Sequence, residues 1–161
     1  AGRVYFTDPR YVGEEPVEQP LEGVYRIDPD GSVHLLIPDA GKPNGIAVST
    51  DQKALYVAST HPDPAILAYD LSPAGVATSR RVLFDFEPGG YADGLAVDAA
   101  GNIYCGCGPG GARVFSPAGE EIARYATPAA ATNVDLTPDD STLYVTAGGG
   151  LYRVRLAKPR P

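Results

Sequence analysis

Four stretches of the chain echo one another: Val4-Tyr5-Phe6, Leu55-Tyr56-Val57, Ile103-Tyr104-Cys105 and Leu143-Tyr144-Val145. Each is an apolar-Tyr-apolar triplet, and successive tyrosines lie 51, 48 and 40 residues apart. A second element precedes the last three triplets: Asn44-Gly45-Ile46-Ala47-Val48, Asp93-Gly94-Leu95-Ala96-Val97 and Asn133-Val134-Asp135-Leu136. Between element and triplet stands a turn signal each time, namely Thr50-Asp51-Gln52, Ala99-Ala100-Gly101-Asn102 and Pro138-Asp139-Asp140. Two further strand-like runs follow the triplet, as in Val24-Tyr25-Arg26-Ile27-Asp28 and Val33-His34-Leu35-Leu36-Ile37 across Pro29-Asp30-Gly31. Ala74-Gly75 and Ala118-Gly119 hold the equivalent hairpins. No helical periodicity competes. Four short strands in about 40–50 residues, punctuated by Gly, Pro and Asp, are the signature of a β-propeller blade. The strands of each unit are named A to D from the central channel outward, A being the Asn/Asp-Gly run and B the Tyr triplet.

Composition agrees with an all-β chain. Of 161 residues 43% are hydrophobic and 20% charged, and 19 Gly and 16 Pro are interleaved with apolar runs, which predicts a turn-rich globular domain. Residues 1–161 are expected to form a single, incomplete propeller domain. The net charge of −7 carries no basic cluster. That argues against nucleic acid and anionic membranes as partners, since both need a cationic footprint, and it is compatible with a bound cation. No apolar stretch approaches the roughly 18 residues of a membrane span, and no signal-peptide pattern opens the chain. The sequence reads as soluble, with its compartment undetermined. There is no Met, even at position 1, which reads as a cut or partial product.

The first triplet has no A strand before it, and the last unit stops after strand C. Fourteen strands make about three and a half blades, and propellers close with about four to eight. The expectation is a partial six-bladed propeller, closed by a separate N-terminal fragment or by a second copy of the chain. Cys105 and Cys107 are the only cysteines. At i and i+2 in a strand they are badly placed to bridge each other, and as a soft-metal site they lack further ligands. Two small buried hydrophobes is the simpler expectation.

Strand direction sorts the loops. D–A and B–C connections lie on one face of the disc, A–B and C–D hairpins on the other. The first face collects Asn44, Asp93 and Asn133 at the entries of the innermost strands. It also carries the Asp8-to-Gly23 loop, His61-Pro62-Asp63 and the glycine-rich runs 106–111 and 148–150. Amide and carboxylate oxygens converging on a channel suit a hard cation such as Ca²⁺. The plainer alternative is that Asn-Gly and Asp-Gly merely turn the chain into strand A. Asn133 reads as turn structure and His61 as a solvated loop residue, while Asp8 either holds a second cation or caps a turn. No Gly-x-Ser-x-Gly elbow and no phosphate loop is present.

Val4-Tyr5-Phe6-Thr7-Asp8-Pro9, Lys42-Pro43-Asn44-Gly45-Ile46-Ala47-Val48-Ser49, Asp93-Gly94-Leu95-Ala96-Val97-Asp98 and Thr142-Leu143-Tyr144-Val145-Thr146 together resemble the gluconolactonase/regucalcin (senescence marker protein) family of six-bladed propellers. The likeness runs along nearly the whole chain and corresponds to the C-terminal portion of that family. It implies a divalent metal at the channel mouth, foremost Ca²⁺ with Zn²⁺, Mg²⁺ or Mn²⁺ as alternatives, held in part by Asn44 and Asp93. The family's early Glu ligand and substrate-binding Asn belong to the N-terminal part, which this chain lacks. The implied reaction is hydrolysis of a small-molecule lactone, the cation polarising the ester carbonyl and Asp93 acting as base toward water. Two rivals stand beside it: a non-catalytic binding propeller, and a related metal-dependent esterase or organophosphate hydrolase.

Overall fold

The computed structural model describes residues 2–14, 16, 18–19, 21–87 and 89–156. Among the described residues, fourteen strands form four antiparallel sheets. Blade I holds β1 (Val4–Asp8), β2 (Gly23–Ile27) and β3 (Val33–Ile37). Blade II holds β4 (Pro43–Val48), β5 (Ala54–Ser59), β6 (Ala65–Leu71) and β7 (Ala77–Asp85). Blade III is β8 (Leu95–Val97), β9 (Ile103–Gly106), β10 (Ala112–Phe115) and β11 (Glu121–Tyr125). Blade IV is β12 (Ala131–Leu136), β13 (Thr142–Ala147) and β14 (Gly150–Arg155). Sheets of three, four, four and three strands in sequence order make a partial β-propeller, as the repeat predicts. No described helix is long and apolar enough to cross a membrane.

The Tyr triplet is explained by burial on both faces. Leu55 and Val57 pack toward blade I with Val24, Ile37 and Leu67, while Tyr56 and Ala58 pack toward blade III with Phe86, Leu95 and Phe115. Blade III repeats the division: Ile103 and Cys105 face blade II, and Tyr104 faces blade IV with Val134, Leu143 and Val145. A strand covered on both sides needs apolar character at every position, which is why periodicity of two is blurred in these triplets. Cys105 and Cys107 are free and buried.

The hairpins of the far face share one geometry. Gly31, Gly75 and Gly119 have φ of 85°, 76° and 89° at the C–D turns. Their N–H groups donate to Asp28, Ser72 and Ser116 carbonyls at 2.8, 2.8 and 2.9 Å. The A–B turns need the same left-handed residue, supplied by Gln52, Gly101 and Asp140 at φ 59°, 85° and 53°. Asp51 and Asp139 stabilise theirs by accepting from Lys53 N–H (3.1 Å) and Ser141 N–H (3.2 Å).

Gly45 and Gly94 are different, and here the turn reading of the Asn-Gly and Asp-Gly pairs is corrected. Neither has a left-handed φ; both are sites of close approach between blades. A Cβ on Gly45 would lie 2.1 Å from the Asp93 carbonyl oxygen and 2.9 Å from both Gly94 Cα and Leu95 N. On Gly94 it would lie 1.9 Å from Asn133 Oδ1 and 2.9 Å from Asn133 Cα. The innermost strands meet where the wedge between sheets is thinnest, and only hydrogen fits there. Asn133 likewise is no turn residue: it lies within β12, against Gly94.

Farther out, Arg113 seals the join of blades II and III. Its guanidinium lies 4.8, 5.0 and 5.2 Å from the Phe84, Phe86 and Phe115 ring centres and pairs with Glu121. Arg124 holds the other Glu121 oxygen at 2.8 Å. Arg124 and Arg113 together lower the Glu121 carboxyl to about 2.

Two outcomes follow for stability. Gly45→Ala should destabilise the propeller by about 1–3 kcal/mol, since only backbone surrounds the new methyl. Gly149→Ala, with nothing within 4 Å, should be near neutral; equal melting temperatures for the two variants would refute the close-approach account. Glu121 has a folded pKa below its unfolded one, so its stabilisation is complete above about pH 4.5 and fades as pH falls toward about 2. Denaturant titrations should therefore show Glu121→Gln weaker than wild type at pH 7, with the gap closing between those limits.

Candidate functional site

Asn44 and Asp93 come to the same end of the channel by different devices. In blade II the β4–β5 register jumps between Pro43↔Ser59 and Ile46↔Val57, so Asn44 and Gly45 occupy a β-bulge. A bulge frees backbone groups from the ladder and re-aims a side chain. The freed Asn44 carbonyl accepts from the Thr7 hydroxyl of blade I at 2.7 Å. In blade III, β8 begins only at Leu95, yet pairing continues ahead of it: Asp93 N–H donates to Gly106 O at 2.9 Å and Gly106 N–H to Gly94 O at 3.0 Å. Gly94 N–H turns away to the Thr132 carbonyl of blade IV at 2.9 Å. Asp93 is thus fixed by backbone bonds on both flanks.

A cleft of about 390 Å³ opens here, lined by Tyr11, Lys42, Asn44, Thr60, His61 and Tyr91. Tyr91 donates its hydroxyl to Asp93 Oδ2 at 3.1 Å. Burial raises the Asp93 carboxyl above the usual carboxylate range, against the Tyr91 hydroxyl, the Asn44 amide and the Gly94 N–H, which favour the charged form. Burial, then the Asp93 charge, pushes the Tyr91 phenol up, so it stays a donor. No ion pair to Asp93 exists among the described residues. A half-buried carboxylate beside the Asn44 amide, with no ion pair to it among the described residues, offers hard oxygen donors that fit a divalent cation. Two donors are not a full set, and no cluster of three or more His, Cys, Asp or Glu that would hold a metal occurs among the described residues.

The other sequence candidates separate. His61 reaches the rim of the same cleft, exposed, with its carbonyl accepting from Lys42 N–H at 2.9 Å. Asp8 lies outside, in a recess with Pro9, Arg10 and Glu22. Asn133 sits against Gly94 of blade III, and its Oδ1 accepts the neighbouring Val134 N–H at 2.8 Å within β12. A larger recess of about 710 Å³ sits among the far-face turns, lined by Tyr5, Asp51 and Pro73 among others, and holds none of these groups. Sequence reasoning missed Tyr11, Lys42, Thr60 and Tyr91. For two of them a signal existed: Lys42 and Tyr91 stand two residues before Asn44 and Asp93, and extended chain sends i and i+2 to the same side.

Asp93 binds its proton more tightly folded than at the unfolded value of about 3.9, so its charge opposes folding above that pH. With a chelator present, Asp93→Asn should be at least as stable as wild type at pH 7, the difference vanishing near pH 4. Urea titrations at both pH values check this, and a clear loss at pH 7 would contradict it.

The family model described as SMP-30/Gluconolactonase/LRE-like region matches residues 1–149. A gluconolactonase of Zymomonas mobilis is 35% identical over 96% of this chain and 48% of its own length. A pentonolactonase of Haloferax volcanii is 32% identical over 93% of this chain and 51% of its own. A solved gluconolactonase structure from Xanthomonas campestris superposes with a TM-score of 0.86 at 32% identity, over 97% of this chain and 54% of that one. The chain spans about half the length of the curated relatives it matches.

Proposed function

The chain belongs to the SMP-30/gluconolactonase/LRE-like family, and on that premise we propose that the ring it forms part of hydrolyses a small-molecule lactone at the mouth of its channel. The observation that carries the reading is the meeting of Asn44 and Asp93, from adjacent blades, beside one cleft. The relatives' names as gluconolactonase and pentonolactonase support the reaction class. Their double length supports completion of the ring, and of the site, by further propeller material.

Asn44 and Asp93 would hold a divalent cation, Ca²⁺ before Zn²⁺, Mg²⁺ or Mn²⁺, and such a cation supplies electrophilic polarisation of an ester carbonyl. Asp93 accepts the proton of the water that adds to the carbonyl carbon. As the ring C–O bond breaks, the Asp93 carboxyl returns that proton to the departing alkoxide, leaving a hydroxy acid. Burial raises the Asp93 carboxyl in the cation-free chain, and a cation held there would keep it ionised and able to take a proton from water. Asn44 would contribute a neutral oxygen, and its amide partly offsets the burial that disfavours the Asp93 charge. Tyr11 and Tyr91 line the cleft and present aromatic surface to a bound ester.

In a protein with the ring complete and the cation saturating, Asp93→Asn should lose about 10²- to 10⁴-fold in turnover on a lactone panel. Asn44→Asp keeps an oxygen at the same reach and should lose less, with a changed cation preference. Near-full turnover of Asp93→Asn under saturating cation would remove Asp93 as the base, and activity confined to phosphotriesters would reassign the substrate.

A further inference from the structure

We propose that Tyr91 is a positioning residue: its phenol, held on a rigid glycine platform, fixes the plane of the Asp93 carboxylate by holding Oδ2. Three observations carry this. The hydroxyl lies 3.1 Å from Asp93 Oδ2, and Tyr91 stands only two residues upstream, so the contact closes a very short loop of chain. One edge of the partly exposed Tyr91 side chain sits against Gly108, where a Cβ would come within 3.1 Å of Cδ1, 3.2 Å of Cγ and 3.3 Å of Cβ, so glycine there leaves it room. That backbone is itself immobilised. Gly108 N–H donates to the Ala131 carbonyl and Ala131 N–H to the Gly108 carbonyl, each at 2.9 Å, bridging blade III to blade IV. Gly110 N–H to Cys107 O (2.9 Å), Gly111 N–H to Gly108 O (3.0 Å) and Cys107 N–H to Gly111 O (2.8 Å) close the loop into a tight turn.

The chain of support therefore runs from blade IV through the 107–111 turn and the Tyr91 ring to one carboxylate oxygen. A carboxylate on a single-bonded stem rotates freely about its terminal torsion unless something holds it. The backbone bonds at Asp93 and Gly94 fix where the stem starts; the Asn44 amide and the Gly94 N–H also favour the charged carboxylate, and the Tyr91 hydroxyl is the group that holds Oδ2. The glycine-rich run is thereby given a purpose that has nothing to do with binding phosphate: it is the bed on which a tyrosine lies.

The kinetic half of this role rests on the lactonase reading; the geometric half does not, and the test separates them. In the ring-complete protein with saturating cation, Tyr91→Phe keeps the aromatic wall and removes only the hydroxyl. It should lower kcat about 10- to 100-fold, the weight of one hydrogen bond to a charged group, with KM changed less than about twofold. In an Asp93→Asn background the same substitution should cost nothing further. Crystal structures of wild type and Tyr91→Phe should differ in the Asp93 carboxylate, rotated or split between two orientations in the variant. An unmoved carboxylate, or a raised KM with kcat intact, would overturn the proposal, the latter making Tyr91 a substrate contact. If Asp93→Asn keeps its turnover the base reading fails, and the crystal comparison alone then decides whether Tyr91 holds the carboxylate.

Discussion

Everything in this molecule depends on sheets that must bury both faces at once. A blade packed between two others has no solvated side, so its middle strands carry Leu55-Tyr56-Val57 or Ile103-Tyr104-Cys105 rather than an alternating pattern. In the two middle blades the triplet tyrosines, Tyr56 and Tyr104, pack toward the following blade, whereas Tyr144 of the last triplet is exposed. Toward the channel the wedge narrows until side chains no longer fit, and Gly45 and Gly94 take over. Apolar volume thus grades from large outside to none inside, and the radial arrangement follows from that gradient. Arg113, sandwiched by three phenylalanines and tied to Glu121, completes the outer part of the blade II–III seam.

That gradient explains how much was legible in the sequence. The triplets and the hairpins repeat because every blade solves the same packing problem, and repetition is visible without coordinates. Strand count, strand order and the face carrying Asn44 and Asp93 all came from it. What repetition hid was the reason for the glycines beside those two residues. In Asn44-Gly45 the glycine looks like turn chemistry, because its partner is the Asp93 carbonyl about fifty residues away, on another blade. The β-bulge that re-aims Asn44 is equally silent, since it depends on what Ser59 and Val57 pair with. Asn133 looked like the third member of a set, yet its Oδ1 accepts the Val134 N–H within its own strand and its side chain sits against Gly94.

The cleft residues were hidden for another reason. Tyr11 and Thr60 belong to loops of different blades and meet Asn44 only through the fold, Thr60 donating to the Tyr11 hydroxyl at 3.3 Å and Tyr11 to the Pro43 carbonyl at 3.3 Å. Lys42, whose ammonium donates to the Arg10 carbonyl at 2.7 Å, pins the loop that carries Tyr11. These contacts cross between sequence repeats, and a reading that proceeds repeat by repeat does not see between them.

Residue 45 is where the two members of the central pair meet through backbone alone. Asn44 belongs to one sheet and Asp93 to the next, and the contact of Gly45 with the Asp93 carbonyl sets how closely those sheets approach. Glycine is the thinnest shim a chain can insert. Each methylene added at that point would wedge the two sheets apart and widen the gap between amide and carboxylate without altering either. The aperture of the site is therefore written one position away from its chemistry, in a missing side chain, where it can be reset while every reacting group stays the same.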